Sequence, residues 1–305
     1  MKITYLGQFK TEKHTIEKDV KETLERMGHE VVAIDDTEFN PEEVAKIANS
    51  TDLFLFRRGG VLTTDIVSFQ ETLGRLQFLL SLVKVKKVFW FFDKVMGFGH
   101  QWMYSIEPMV DCGFLNDETF LRRHHADKLF PLHLGFNNSG YVGKFNSDYA
   151  CDVAFDGPIY GTRDVFIKMM KDVFGDRFKV FNLEDNNKFA DLCASAKIIV
   201  SPRFPYDDFF WSEKVYKTLG NGGFLMFPRF EGLKEEGLED GYQFAGYNVY
   251  GEMVEIIKWW LQNGDRQKEG LKVIPQQGKD TVLKNFTYEK RLEVLLNTIF
   301  PNVKK

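Results

Sequence analysis

Residues 211–228, WSEKVYKTLGNGGFLMFP, combine cations and glycines in a pattern that could bind a phosphate group. The stretch predicts a helix that runs into Asn221-Gly222-Gly223 and is followed by a very apolar strand. One glycine is enough to end a helix. A pair leaves backbone without side chains, whose N–H groups could donate hydrogen bonds to phosphate. The structural alternative is a helix C-cap followed by a tight turn.

A second candidate anion site lies where CDVAFDGP, residues 151–158, runs into a helix. The predicted strand ends in the Gly157-Pro158 turn, and Arg163 opens the helix that follows. A helix N-terminus adds a positive field and free N–H groups, so Arg163 suits a bound anion. Lys214 supplies another cation, in the helix of residues 211–220. The alternative for both side chains is an ordinary solvated surface charge.

The loop SPRFPYDD, residues 201–208, follows a buried strand and carries further charges. Arg203 faces the ligand-binding end of the sheet if the strand assignment holds. Asp207 and Asp208 could be metal ligands, but a pair of acids in a loop is more often a cap or a turn. No third ligand is evident, so we predict no metal site.

Two residues of the first half could do acid–base chemistry. Asp93 ends the apolar run VFWFFD, and His100 follows the glycine-rich turn MGFG. Either side chain could take the proton of an acceptor hydroxyl or orient that hydroxyl, and the alternative for each is a capping or loop residue. His124 and His125 are adjacent, which is poor geometry for a shared ligand, so we interpret them as surface residues.

These candidates are carried by an alternation of strands and helices. Apolar runs and helical spacing predict the strands and helices of residues 2–7, 13–27, 29–35, 41–50, 51–58, 65–83 and 86–93. Residues 97–135 are less regular, and a similar alternation restarts at residue 151. The pattern predicts the α/β class, with two doubly wound, Rossmann-like parallel sheets.

Pro131 and Gly135 bracket our candidate for the domain boundary. We therefore predict an N-terminal domain over residues 1–135 and a C-terminal domain over 136–305. The last helix of the second domain, in TYEKRLEVLLNTIF, could pack back on the first domain. Such sheets bind ligands at the carboxyl ends of their strands, normally in the cleft between two tandem domains.

Composition excludes several classes of protein. The 305 residues carry a formal net charge of −4, which argues against a large nucleic-acid or membrane surface. Three widely spaced cysteines, Cys112, Cys151 and Cys193, form neither a disulfide framework nor a zinc pattern and fit a reducing cytoplasm. No apolar run reaches the ~20 residues of a membrane span, and the N-terminus lacks a signal-peptide pattern. We predict a cytoplasmic protein.

Three segments together resemble the C-terminal domain of GT-B glycosyltransferases, and the nearest group is glycosyltransferase family 1 or the spore-coat CgeB-like proteins. They are CDVAFDGPIYGTR, WSEKVYKTLGNGGFLMFPRFEGLKEEGLEDGYQFAGY and FTYEKRLEVLL. Ser212–Tyr216 stands at the group's serine-aspartate-arginine-valine-tyrosine run. Gly222-Gly223 and Glu231-Gly232-Leu233 match its glycine pair and its EGL segment. The likeness covers roughly residues 151–298, and the first half matches loosely through MGHEV and FRRGG.

The resemblance implies a GT-B fold, in which two Rossmann-like domains face a central cleft. It also implies transfer of a sugar from a nucleoside-diphosphate sugar to an acceptor hydroxyl, without a metal or another cofactor. Arg163 and Lys214 would neutralise the leaving diphosphate, and the glycine pair would leave room for the donor. The implied donor-binding residues are Gly157, Arg163, Arg203, Lys214, Gly222, Gly223 and Glu231, and the implied acceptor-side loop is Arg57-Arg58-Gly59-Gly60.

Departures from the pattern keep alternatives open. Lys217 stands where related retaining transferases often carry a glutamate, and Lys214 stands where arginine is usual. Lys217 keeps open a non-catalytic coat or assembly protein of the same fold that binds carbohydrate or a protein. A Rossmann oxidoreductase is disfavoured because no G-x-G-x-x-G follows the first strand. The acceptor could be a glycan, a protein, a small molecule or a modified nucleic-acid base.

Overall fold

The computed structural model describes residues 1–37, 39–57, 66–124, 126–203 and 206–301. Contacts between residues divide the chain into two compact units. The first unit contains Met1–Asn137 and the segment that begins at Tyr288, and the second contains Asn138–Thr287. Each unit is built on a parallel sheet of its own.

The first sheet has six strands with helices between them. The strands are β1 (Lys2–Gly7), β2 (Glu30–Asp35), β3 (Leu53–Phe56), β4 (Lys86–Phe91), β5 (Cys112–Leu115) and β6 (Leu129–Pro131). The helices are α1 (Ile16–Arg26), α2 (Pro41–Ala48), α3 (Ile66–Leu82), α4 (Phe98–Ile106) and α5 (Glu118–Arg123). All strand pairs are parallel, in the order β2-β1-β3-β4-β5-β6.

Both faces of this sheet are covered, which explains its continuous apolar runs. Successive side chains of a strand point to opposite faces. Phe54 and Phe56 of β3 accordingly belong to one apolar cluster, and Leu53 and Leu55 belong to the other. Charged groups can therefore collect only at the ends of the strands, and this is where the candidate residues lie.

The second sheet has five strands. They are β7 (Cys151–Asp156), β8 (Phe178–Phe181), β9 (Ala196–Val200), β10 (Leu225–Pro228) and β11 (Ala245–Tyr247). The helices are α6 (Arg163–Phe174), α7 (Asn186–Ser195), α8 (Lys214–Gly220), α9 (Glu231–Glu235), α10 (Tyr250–Trp260) and α11 (Asp265–Asn285). The pairs are again parallel, in the order β11-β10-β9-β7-β8. The predicted α/β class with two doubly wound sheets is confirmed.

Several elements escaped the sequence analysis. The region 97–135, interpreted as less regular, contains α4, α5 and the short strands β5 and β6. The three-residue strand β11 has too few residues for a periodic pattern. The sequence analysis predicts no helix over α11, which contains Pro275, and proline normally ends a helix pattern. Among the described residues, no helix combines the length and the apolar character that a membrane crossing needs.

The chain returns to the first unit in its last helix, α12 (Tyr288–Ile299). The Tyr288 N–H donates to the Phe136 carbonyl at 3.0 Å, and the Tyr288 ring lies 6.1 Å from that of Trp90. The contacts place the change of unit after Asn137, whereas the sequence analysis placed it after residue 135. The last helix of the predicted second domain, 136–305, belongs to the first unit, in agreement with the expectation that it could pack back on the first domain.

Candidate functional site

The carboxyl ends of β7 and β9 mark the point where the strand order of the second sheet reverses. The chain leaves β7 for β8 on one side, and β9 continues to β10 on the other side. Doubly wound sheets bind ligands at such a point because the connecting segments diverge there and leave a crevice. Asp156 is the last residue of β7, Gly157 follows it, and Ser201 follows β9.

Gly157 lies against two cationic side chains. Its φ of 141° is a conformation that glycine adopts readily and other residues rarely do. A Cβ atom at this position would lie 2.7 Å from Lys214 Nζ and 3.7 Å from Arg163 Nη1. The structure therefore brings Gly157, Arg163 and Lys214 together at the carboxyl end of β7.

Arg163 is a buried cation with hydrogen-bonding capacity to spare. It opens α6 and is only 6% exposed. Its Nη1 donates to the Pro158 carbonyl at 3.0 Å, and its guanidinium carbon lies 4.2 Å from the centre of the Tyr160 ring. Its Nε makes no hydrogen bond within the described part of the chain. A guanidinium carries five N–H donors in a fixed fork, and this geometry is suited to a bound anion.

Lys214 is held by the last residue of β7. Its Nζ donates to the backbone carbonyl of Asp156 and lies 3.1 Å from Asp156 Oδ2. The Asp156 side chain is 6% exposed, and its Oδ1 accepts the Leu183 N–H at 2.8 Å. A buried carboxylate therefore balances the charge of Lys214.

Tyr206 links the loop after β9 to both cations. Its hydroxyl lies 3.0 Å from Ser212 Oγ, which accepts the Lys214 N–H at 3.4 Å. Its own N–H donates to the Arg203 carbonyl at 2.8 Å. Burial raises the pKa of Tyr206, while the Ser212 hydroxyl and the Arg163 guanidinium lower it without reversing that direction. The phenol therefore stays protonated and can donate a hydrogen bond.

Arg203 and Glu231 lie at the carboxyl ends of β9 and β10. Arg203 is exposed, and its guanidinium carbon is 5.1 Å from the centre of the Phe230 ring. Glu231 opens α9 and lines a cavity of about 430 Å³ together with Arg229 and Lys234. The carboxylate of Glu231 is exposed and is therefore accessible to a ligand.

The structure places the Gly222-Gly223 pair elsewhere. The Gly222 N–H donates to the Leu219 carbonyl at 2.8 Å, and the Gly223 N–H donates to the Thr218 carbonyl at 2.9 Å. Both donors thus end α8, and the pair precedes β10, at the opposite end of the strand from Arg229. This placement supports the structural alternative and corrects the expectation that these N–H groups meet phosphate beside Arg163 and Lys214.

Asp207, Asp208 and Lys217 make contacts that are structural. Asp207 accepts the Phe209 N–H at 3.1 Å, and the Asp208 carbonyl accepts the Gly232 N–H at 2.9 Å, as expected of a turn. The described residues contain no group of three potential metal ligands. Lys217 Nζ lies 4.8 Å from the centre of the Phe189 ring.

In the first unit, Asp93 belongs to a chain of charges. Arg57, which follows β3, donates from Nη1 to Glu17 at 2.6 Å and from Nη2 to Asp93 at 2.9 Å. Glu17 is 1% exposed, whereas Asp93 is 46% exposed. Burial lowers the pKa of Arg57, but the two carboxylates outweigh burial and hold that pKa above its usual value. Arg57 thus fixes the orientation of a solvent-accessible carboxylate.

His100 lies in the first turn of α4 and packs on α5. Its ring centre is 5.5 Å from that of Phe120 and 5.8 Å from that of His124. His124 Nδ1 lies 3.0 Å from the Tyr104 hydroxyl. An aromatic setting of this kind is typical of a packed side chain. The predicted positions Arg58, Gly59, Gly60 and His125 lie outside the described residues.

The cysteines do not offer a nucleophile at neutral pH. All three are free thiols. Burial raises the pKa of Cys112 and of Cys151 to about 11, and burial also raises the pKa of Cys193. A thiol must ionise to attack, so these residues stay inert at neutral pH.

The sequence analysis missed three residues that the structure adds to these clusters. Asp156 ends the run CDVAFD, and a charged residue at the end of a buried strand is a signal that could have been used. Glu17 looked like an ordinary acid in the first turn of a helix. Tyr206 gave no signal, because its importance depends on the fold of its loop.

No family model and no curated protein matches this sequence. Several solved structures match it. HepE from Anabaena, in complex with UDP and glucose, is 12% identical, with 98% of this chain and 99% of that chain covered and a TM-score of 0.67. An alpha-glucosyltransferase in complex with UDP and a 13-mer DNA containing a HMU base is 10% identical, with 98% and 99% covered and a TM-score of 0.70. Sucrose-phosphate synthase from Thermosynechococcus elongatus is 10% identical, with 99% and 100% covered and a TM-score of 0.66.

At such low sequence identity, the structural similarity establishes the fold but not the reaction, the substrate or the site residues. The fold is that of GT-B glycosyltransferases, as the sequence resemblance implied. The comparisons give no support to the narrower CgeB-like group.

We expect Arg57→Met to lower the free energy of unfolding by about 3–5 kcal/mol, because it leaves the buried Glu17 carboxylate without its cation. Lys21→Met is the matched control on the same helix as Glu17. Lys21 and Glu25 form an exposed pair, with side chains 31% and 42% exposed, so its loss should cost about 0.5 kcal/mol or less. Urea unfolding of the parent and both variants measures the difference. Equal losses in the two variants would contradict the buried chain of charges.

Proposed function

We propose that this chain is a glycosyltransferase that moves a sugar from a nucleoside-diphosphate sugar to an acceptor hydroxyl. One observation carries the proposal: Arg163 and Lys214 converge on Gly157 at the strand-order reversal of the second sheet. The GT-B likeness supports it, because the similar structures include an alpha-glucosyltransferase and proteins solved with UDP or UDP-glucose. The motif resemblance points to the CgeB-like group as the proposed family.

The chemistry explains why two fixed cations are needed. When the bond to the sugar breaks, negative charge develops on the leaving diphosphate, and a preorganised cation stabilises that charge. Arg163 is held by Pro158 and Tyr160, so it needs little rearrangement. We propose that Arg163 and Lys214 bind the two phosphates and that no metal or other cofactor takes part.

The part of the donor beyond its diphosphate is assigned to the carboxyl ends of β9 and β10. The exposed Glu231 carboxylate can accept hydrogen bonds from sugar hydroxyls, and the cavity beside it has room for such a group. Arg203, above Phe230, supplies another cation on that side. Gly222 and Gly223 are left out of the proposed donor site because their N–H groups end α8.

The acceptor side is assigned to the first unit. Asp93 is the candidate group for the acceptor hydroxyl, as a base if configuration inverts or as an orienting group. His100 is the weaker candidate because its ring packs on Phe120. We propose a glycan, protein, small molecule or modified nucleic-acid base as acceptor, and a cytoplasmic location that fits three free cysteines.

We expect Arg163→Ala and Lys214→Ala each to weaken binding of a nucleoside diphosphate by about 1.5–3 kcal/mol, the value of a charged hydrogen bond. Lys197→Ala is the matched control, since Lys197 lies in the first half of β9, is 58% exposed and pairs with Asp152. A thermal-shift screen of UDP, GDP, ADP and their sugars selects the ligand, and calorimetry measures affinity. Unchanged binding in both variants would refute the assignment of the phosphate site.

Sugar transfer should persist in excess EDTA, because the proposed cations do the work that a divalent metal would do. Mass spectrometry of a transferred sugar, or release of the nucleoside diphosphate, measures turnover. Complete loss that Mn²⁺ or Mg²⁺ restores would overturn the metal-free mechanism and make Asp207 and Asp208 candidate ligands.

We expect Asp93→Asn to lower kcat at least ~100-fold, the lower end for loss of a general base, while donor affinity stays unchanged. His100→Gln should reduce kcat less. Asp111→Asn is the matched control, because Asp111 pairs with Lys86 just before β5, at the other end of the sheet. If His100→Gln has the larger effect, His100 is the base. If neither variant slows transfer, the assignment of the acceptor side fails.

A further inference from the structure

We infer that Asp156 acts as a counter-charge that competes with bound phosphate for Lys214. This competition weakens binding of the nucleoside diphosphate more than binding of the nucleoside-diphosphate sugar and so favours release of the product. The inference rests on the proposed function. It concerns a residue to which neither the motifs nor the comparisons assign a role.

Asp156 is placed beside the proposed phosphate site and is fixed there. Its side chain is 6% exposed, its Oδ1 accepts the Leu183 N–H at 2.8 Å, and its Oδ2 lies 3.1 Å from Lys214 Nζ. Its backbone carbonyl accepts a second hydrogen bond from the same ammonium. The carboxylate therefore cannot turn away when a ligand arrives.

The consequence is a site with less positive charge than its two cations suggest. Arg163 contributes one positive charge, and Lys214 and Asp156 together contribute none. An anion that approaches Gly157 meets the ammonium, which lies 2.7 Å from where a Cβ would lie and 3.1 Å from Asp156 Oδ2. Because Asp156 takes up the charge of Lys214, the ammonium attracts the ligand less, and this loss is larger for a ligand that carries more negative charge.

Donor and product differ by that additional charge. In a nucleoside-diphosphate sugar both phosphates are esterified, so each carries about one negative charge. After transfer the terminal phosphate is free, and a free phosphate of this kind ionises a second time with a pKa of about 6. At neutral pH the product is therefore the more negative ligand, and the counter-charge weakens product binding more than donor binding.

The direct test compares UDP and UDP-glucose, the ligands held by similar structures, in the unaltered protein and in Asp156→Asn. Asparagine removes the charge and keeps one side-chain acceptor, for the Leu183 N–H, while Lys214 retains the backbone carbonyl at position 156. We expect calorimetry to show about tenfold tighter UDP binding in the variant and no more than about threefold tighter UDP-glucose binding. Asp152→Asn is the matched control on the same strand, because Asp152 pairs with Arg177 and Lys197 at its other end, and both affinities should stay the same.

A second background isolates the role of Lys214. In Lys214→Ala, the further change Asp156→Asn should tighten UDP binding by less than about threefold, because the competition for the ammonium has been removed. An undiminished tenfold gain in that background would overturn the competition. Equal gains for UDP and UDP-glucose in the single variant would overturn the discrimination between product and donor.

The unaltered protein gives a measurement that does not depend on the folding of any variant. UDP should bind no more than about tenfold more tightly than UDP-glucose, and a larger preference for UDP would refute the inference. If the protein binds neither these ligands nor the ADP and GDP equivalents, the proposed function fails. If it binds them and Asp156→Asn changes nothing, the inference alone fails.

Discussion

The contact of Lys214 with Asp156 across Gly157 is the interaction on which the proposed site depends. It joins the first residue of α8 to the last residue of β7, which are far apart in sequence. A Cβ at position 157 would lie 2.7 Å from the ammonium and would force Lys214 to shift, so the glycine, the lysine and the aspartate form one unit. The pair also positions α8 and therefore the loop that carries Tyr206 and Ser212.

The reason that charge collects here is the burial of both sheets. Apolar clusters cover the two faces of each sheet, and an unpaired charge inside such a cluster is strongly unfavourable. Strand ends are the remaining positions, and several of the charges found there are paired. Arg57 with Glu17 and Asp93 in the first unit follows the same rule as Lys214 with Asp156 in the second. Arg163, like Arg57, keeps a buried Nε without a hydrogen bond within the described residues.

Much of the fold could be predicted because long buried strands and amphipathic helices leave strong patterns. KKVFWFFD and the spacing of Ile16, Val20 and Leu24 are examples, and the structure has β4 and α1 there. Short elements such as β11 and the proline-containing α11 leave no such pattern.

The site could be predicted in part. The alternation of strands and helices predicts that Arg163 and Lys214 lie at the carboxyl ends of strands. The expectation for Gly222-Gly223 failed because the sequence does not show which acceptor a glycine N–H group bonds to. In the structure the acceptors are carbonyls of the preceding helix. Asp156 ends a buried strand, which is a usable local signal, but its pairing with Lys214 joins distant segments and leaves no local pattern. The role of Tyr206 depends in the same way on the fold of its loop.

A crystal structure of the protein with UDP bound tests the central claim most directly. The account predicts the two phosphates within about 3 Å of Arg163 and Lys214 nitrogen atoms, the distance of a charged hydrogen bond. It also predicts that they lie at the carboxyl end of β7, with the Gly222-Gly223 turn still closed on α8. Phosphates bound at that turn, or anywhere that leaves Arg163 and Lys214 with their present contacts alone, would contradict the account.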